Sequence, residues 1–299
     1  MSAKFQFSNL PKDEKLAESF DVYLCNEFSL PSFAIKFIQE EYETYEARND
    51  DIYVVSYPKT GTTWLQEIVY LIHSNLDIKS ALSLSLNKRF PYIEHSTTNF
   101  SEVKNISSPR LLKTHLPYSC LPQDILQKQC KMIYITRNPR DVAVSYYHFA
   151  CMLKETQYKG NFEQFFQRFY LDRTTYSPFL LHNLEFWNRR NDKNVLFLFY
   201  EDLKVDISSN LKKIAAFLDR NLSSEELNSI KEHTDFKSMA KQESTALSED
   251  SSIGNKGSFY RKGQVGDWKN YFTQDMIQKL DAKVNEVLKD SGLQYTYEL

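Results

Sequence analysis

Four short runs of apolar, largely β-branched or aromatic residues punctuate the chain at positions 52–57, 110–114, 132–136 and 195–200. Each run carries apolar residues on both faces, the pattern of a strand buried on both sides. Apolar residues recur at helical spacing over 63–74, 139–153, 162–170, 179–190, 203–218 and 274–288. Strands separated by helices predict an α/β fold, one domain over 1–299 with a central parallel sheet flanked by helices. The first fifty residues mix short apolar runs with proline and acidic residues and are expected to pack on that core as an N-terminal extension. The stretch 242–258, QESTALSEDSSIGNKGS, is polar and Ser-rich and predicts a mobile loop.

In open parallel sheets, ligands sit beyond the carboxyl ends of the strands. Lys59 follows the first run, Lys113 and His115 end the second, Arg137 follows the third, and Tyr200 with Glu201 ends the fourth. Polar strand ends arise by chance, but three basic ends in a chain of net charge −2 point to one site for an anion. The same net charge argues against a nucleic-acid or anionic-membrane partner. No apolar stretch is long enough to span a bilayer, and the N-terminus lacks a signal-peptide core. Cys25, Cys120, Cys130 and Cys151 show neither CxxC nor zinc spacing. Reduced thiols and a cytoplasmic protein are the expectation. The acidic residues form no EF-hand, DxD or HExxH pattern, so no metal is expected.

The richest segment is Tyr57-Pro-Lys-Thr-Gly-Thr-Thr-Trp64. An apolar run, a short glycine-containing turn and a helix start build an anion site from unpaired N–H groups and the helix dipole. Lys59 adds a charge, and Thr60, Thr62 and Thr63 add hydroxyl donors. The pattern departs from GxxxxGK[ST], because Lys59 precedes Gly61 and no glycine lies upstream. Taken alone it is a phosphate loop or an ordinary strand-to-helix turn.

Three segments together are specific. Tyr57-Pro-Lys-Thr-Gly-Thr-Thr-Trp64 resembles the 5′-phosphosulfate loop of cytosolic sulfotransferases. Arg137-Asn-Pro-Arg-Asp-Val-Ala-Val-Ser-Tyr-Tyr147 resembles their 3′-phosphate segment, and Arg261-Lys-Gly-Gln-Val-Gly-Asp-Trp-Lys269 their C-terminal RKGxxGDWK signature. The resemblance covers about 52–273. It implies 3′-phosphoadenosine 5′-phosphosulfate (PAPS) as donor, adenosine 3′,5′-bisphosphate (PAP) as product, and a small hydroxyl or amine acceptor. It also implies a P-loop-like phosphosulfate site at residues 59–63, and a 3′-phosphate held by Arg137, Ser145, Arg261, Lys262 and the N–H of Gly263. Trp64, Tyr200 and Phe236 would contact adenine, with Thr234 near the base. Lys113-Thr-His-Leu-Pro117 matches the KxHLP pattern, which makes His115 the general base, with Lys113 and Lys59 stabilising charge. Ser145 would restrain Lys59 until acceptor arrives. Phe149 would line the acceptor pocket, with Phe90, Tyr92 and Tyr146 as weaker candidates and the loop 242–258 as a cover.

His73, His95, His148, His182 and His233 are assigned structural roles. Asp141 and Asp267 are expected to orient loops rather than act as acids. The family's dimer element, KxxxTVxxxE, survives only as Lys269 and Thr273, since Gln274 and Gln278 replace its Val and Glu. A homodimer by that route is in doubt. Three other readings remain: a phosphotransferase, which would need a Walker loop and a magnesium-holding Asp; a silent nucleotide-binding relic; and sulfation followed by elimination.

Overall fold

The apolar runs pair edge to edge. The computed structural model describes residues 5–9, 21–154, 156–245 and 259–299. Three short N-terminal strands, β1 (Phe7–Asn9), β2 (Val22–Cys25) and β3 (Phe28–Pro31), form an antiparallel sheet. The four predicted runs become β4 (Ile52–Val55), β5 (Leu111–Thr114), β6 (Lys131–Thr136) and β7 (Val195–Phe199). All four are parallel, in the order β5-β4-β6-β7, with Ile52 opposite both Leu111 and Lys131.

The sheet divides the apolar residues between two cores. Ile52, Val54, Ile133 and Ile135 pack with Leu65, Ile68 and Ile72 of helix Thr62–His73 and with Leu211 and Ile214 of helix Ile207–Phe217. Tyr53, Val55, Met132 and Tyr134 pack on the opposite side with Val142, Phe165, Phe166 and Phe186. Alternate residues of each strand thus enter different cores, which explains why the runs carry apolar residues on both faces.

Helices Pro139–Met152, Phe162–Tyr170, Phe179–Trp187 and Gln274–Val287 form where helical spacing predicts them. The helix predicted over 203–218 is two helices, Tyr200–Val205 and Ile207–Phe217. Asp206 breaks it: its backbone leaves the helical region at φ −140°, and its side chain accepts from Ser209 N–H as the N-cap of the second helix. The described N-terminal residues pack on the core, with Phe28, Leu30, Ala34 and Phe37 buried. Their three strands had escaped the sequence reading, being too short to show an alternation. The predicted loop lies outside the described residues from 246 onward, and its first residues form a 3₁₀ turn, Glu243–Thr245. In the degenerate dimer element, Thr273 caps helix Gln274–Val287 by accepting from Met276 N–H, and Lys269 pairs with Glu298 at 2.8 Å.

Asp51, just before β4, is wholly buried, and Arg110, just before β5, is 2% exposed. Arg110 donates from Nε at 2.8 Å and from Nη2 at 2.5 Å, while the Arg48 N–H donates to the same carboxylate at 2.7 Å. Asp51→Ala leaves a buried guanidinium without its counter-charge and is expected to cost about 3–5 kcal/mol of stability. Urea denaturation checks this; a loss below about 1 kcal/mol would show that the pair does not anchor the sheet.

Candidate active site

Beyond β4 the chain makes the turn that carries Lys59. Lys59 has φ 73° and Gly61 has φ 109°, and Gly61 is the N-cap of helix Thr62–His73. A Cβ on Gly61 would lie 2.8 Å from Tyr200 Cδ2, so both backbone and space require glycine here. The Thr60 hydroxyl lies 2.8 Å from the Tyr57 carbonyl and 2.9 Å from that of Ile135, tying the turn to β6. Thr62 Oγ1 lies 2.6 Å from Ser56 Oγ. These two hydroxyls brace the loop instead of standing free as ligand donors. The opening N–H groups of the helix have no side-chain cap and remain available to an anion.

The end of β5 supplies Lys113 and His115. His115 Nδ1 is 2.6 Å from the Ser56 carbonyl, so this nitrogen carries the proton and Nε2 is left as an acceptor. The His115 backbone is held from both sides: its N–H donates to Glu94 Oε1 at 2.6 Å, and its carbonyl accepts from His182 Nε2 at 2.9 Å. Burial, then the charge of Lys113, holds the His115 imidazole well below its usual pKa. Burial likewise lowers Lys113, and the nearby Glu94 carboxylate pulls it back up. The Lys113 ammonium lies 4.1 Å from the centre of the Tyr92 ring.

The third cluster joins the start of helix Pro139–Met152 to the C-terminal signature. Arg137 donates to the Gln264 carbonyl at 2.6 Å and lies over Tyr200 at 4.5 Å. Asp141 accepts from Gly266 N–H at 2.8 Å and Trp268 N–H at 3.0 Å, stitching the two segments together. Asp267 pairs with Arg261 and, at 2.6 Å, with Lys262. Burial would raise the Asp267 carboxyl, but hydrogen bonds from Lys262, Asn270 and Arg261 hold it at about 2. Both carboxylates therefore orient loops. Gly263 has φ 62°, and a Cβ there would come within 2.2 Å of Phe236.

One cavity of ≈ 1900 Å³ brings these parts together. Lys59, Gly61, Thr62, Thr63, Trp64, Arg137, Ser145, Tyr200, Thr234, Phe236, Arg261, Lys262 and Gly263 line it, as do Lys113, His115, Phe149, Tyr92 and Tyr146. Thr60 is buried behind the wall. Phe90, a sequence candidate for the acceptor wall, is instead buried in the core with Leu65 and Ile72. Its register relative to β5 decides this, and the sequence does not show it. The Lys59 ammonium lies 4.0 Å from the Phe149 ring centre and 4.6 Å from that of Phe259, with no hydrogen bond to Ser145 among the described residues. Sequence reasoning missed Phe33, Tyr176 and Phe259 on the wall, and Glu94 behind it. It also gave His95 a structural role, whereas His95 lines the cavity.

The electrostatics fit a polyanionic nucleotide. Burial, then Lys113, Arg137 and Arg261, lowers Lys59 to about 7. Such crowding of positive charge is relieved by an anion. Trp64 lines the same cavity, and its buried Nε1 has no hydrogen-bond partner among the described residues. Among the described residues, no group of three or more His, Cys, Asp or Glu side chains is arranged to hold a metal. A parallel sheet whose strand ends form two anion clusters beside an aromatic chamber containing a neutral histidine defines a nucleotide-dependent group transferase.

Comparison with known proteins specifies the group. Residues 49–292 match the sulfotransferase domain, and the chain belongs to that family. It is 37% identical to sulfotransferase 1E1 of Bos taurus over 93% of this chain and 97% of that protein. It is 38% identical to sulfotransferase 1E1 of Homo sapiens over 86% and 90%. Among solved structures, retinol dehydratase in complex with retinol and PAP superposes with a TM-score of 0.85 at 27% identity, covering 98% of this chain and 99% of that one. Mouse sulfotransferase SULT7A1 complexed with PAP gives 0.75 at 32% identity over 90% and 95%. The enzyme is a PAPS-dependent sulfotransferase.

An anion bound beside Lys59 raises that lysine's pKa from about 7. PAP binding at pH 8 is therefore expected to take up a proton, and uptake should shrink toward pH 6, where Lys59 is already charged. Calorimetry in buffers of different ionisation enthalpy measures this. Uptake that persists undiminished in Lys59→Met would assign the proton elsewhere.

Proposed function

We propose that the chain, acting as one domain, moves the sulfuryl group of PAPS to a hydroxyl, or an amine, of a small apolar acceptor, with His115 as general base. The observation that carries this reading is the clamp on His115. Its Nδ1 is committed to the Ser56 carbonyl, and its lowered pKa keeps Nε2 unprotonated and able to take the acceptor's proton. PAPS, when bound, supplies an electrophilic sulfur with a nucleotide phosphate as leaving group. Lys59 and the opening N–H groups of helix Thr62–His73 hold its 5′ end, and Lys59 and Lys113 neutralise charge that develops there. Arg137, Arg261, Lys262, Ser145 and the Gly263 N–H hold the 3′-phosphate. Trp64, Tyr200 and Phe236 flank the adenine, with Thr234 beside it. Phe149, Tyr92 and Tyr146 give the acceptor a largely aromatic wall that suits phenols and flat alcohols.

A second reading follows from the superposition on retinol dehydratase: an allylic alcohol sulfated in this chamber could lose the sulfate and a proton to give an alkene. The free state of all four cysteines supports a cytoplasmic setting. No helix among the described residues is long and apolar enough to cross a membrane.

Transfer of labelled sulfate from PAPS to a panel of phenols, alcohols and amines tests the main reading, and mass analysis of the allylic products tests the second. His115→Ala is expected to lower turnover by about 10²–10⁴-fold while PAP still binds. Turnover within tenfold of the parent would remove His115 as base. Because the His115 pKa lies below the usual imidazole range, the rate should hold as pH falls through 6.5 and drop only at more acid pH.

A further inference from the structure

His182 sits behind His115, where three strand ends converge. It lies on helix Phe179–Trp187 and is wholly buried. Phe28 and Tyr57 meet its ring edge-on, and Phe186 stacks on it at 5.8 Å and 28°. Its two ring nitrogens reach in different directions. Nε2 is 2.9 Å from the carbonyl of His115, just beyond β5, and Nδ1 is 2.7 Å from the Tyr134 hydroxyl of β6. Since β4 lies between β5 and β6, the imidazole bridges the two strands that flank the one leading to Lys59.

These partners assign its tautomer. A carbonyl can only accept, so Nε2 carries the proton and donates it to His115. Nδ1 is then an acceptor, and the Tyr134 hydroxyl is the donor that faces it. That hydroxyl also lies 3.0 Å from Asn183 Oδ1, while Asn183 Nδ2 donates to the Phe179 carbonyl at 2.6 Å. Burial lowers the His182 pKa to about 4, so the ring holds a single proton near neutral pH.

The bond to His115 does more than satisfy a buried carbonyl. Nδ1 of His115 is held by the Ser56 carbonyl, its N–H by Glu94 and its carbonyl by His182. The first contact fixes the ring, and the other two fix the peptide units on either side of its Cα. With the carbonyl released, the following peptide can rotate and carry the Cα–Cβ direction with it. The His115 Nε2 stands at the far end of that lever. A misplacement of about 1 Å costs on the order of 10²-fold in rate.

We propose that His182 is a positioning residue: by donating to the His115 carbonyl, it holds the His115 imidazole in the orientation that receives the acceptor's proton. His182 does not line the cavity, so it acts through His115. Tyr134 orients His182 in turn. The inference rests on the reading of His115 as general base given above.

The test is a double-mutant cycle, using the phenol of the acceptor panel that the parent sulfates fastest. His182→Asn keeps an amide near Tyr134 but is too short to reach the His115 carbonyl. His182→Gln places its amide N–H where Nε2 stood. Turnover, KM for PAPS and PAP affinity are measured for both, for His115→Ala and for the double variant His115→Ala/His182→Asn. His182→Asn is expected to lower kcat roughly 10- to 100-fold, with KM for PAPS and PAP affinity within about threefold of the parent. His182→Gln should recover most of the turnover. In the His115→Ala background the Asn substitution should cost less than about threefold, because the group it positions is gone.

Three results overturn the inference alone: His182→Asn turnover within about threefold of the parent, the same loss in both backgrounds, or a fall in PAP affinity that matches the fall in turnover. Should circular dichroism show that His182→Asn does not fold, His182→Gln decides. Turnover within about tenfold of the parent then supports the role, and a larger loss with PAP bound normally overturns it. His115→Ala turnover within about tenfold of the parent removes the base itself, and the inference with it.

Discussion

Positive charge gathered at one end of a parallel sheet is the constraint around which this structure is organised. Parallel strands all point their carboxyl ends the same way, so Lys59, Lys113 and Arg137 arrive together without needing to be neighbours in sequence. The C-terminal signature then brings Arg261 and Lys262 to the same cavity. Most of these cations are backed by a carboxylate set behind the wall: Glu94 beside Lys113, Asp141 beside Arg137, and Asp267 on Arg261 and Lys262. Lys59 is the exception, with no carboxylate partner among the described residues. Burial, then the charges of Lys113, Arg137 and Arg261, lowers its pKa to about 7.

The same field sets the state of the histidine. Burial, then the charge of Lys113, keeps the His115 pKa well below its usual value, while the Ser56 carbonyl fixes which nitrogen holds its proton. Lysines and histidine are thus electrostatically coupled: the charges of Lys113 and Lys59 disfavour protonation of the His115 imidazole. Ser56 links the loop of Lys59 to the histidine directly, because its hydroxyl contacts Thr62 and its carbonyl contacts His115. A shift of the loop would therefore reorient His115.

Much of this was legible in the chain. Runs with apolar residues on both faces marked the four parallel strands because both faces of the sheet are covered, and three of the strand ends carried visible cations. What was missed has identifiable causes. Asp206 interrupts a helical pattern through a capping bond that a periodicity does not reveal. Thr60 and Thr62 look like free donors in sequence, yet one braces β6 and the other Ser56. Phe90 and Tyr92 are two residues apart, but one enters a core and the other the cavity, because pairing of residues 91–93 with β5 fixes which way each side chain points.

The sequence alone determined the four parallel strands, most of the helices between and after them, and the three signatures, since each is a local pattern whose physics acts over a few residues. Tertiary structure alone decided the lowered pKa of Lys59, the tautomer of His115, the carboxylates beside Lys113, Arg137, Arg261 and Lys262, and the place of His95 on the cavity wall. Those properties depend on burial and on partners tens of residues away. Glu94 and His115, for example, meet only because two distant segments lie side by side at the end of β5.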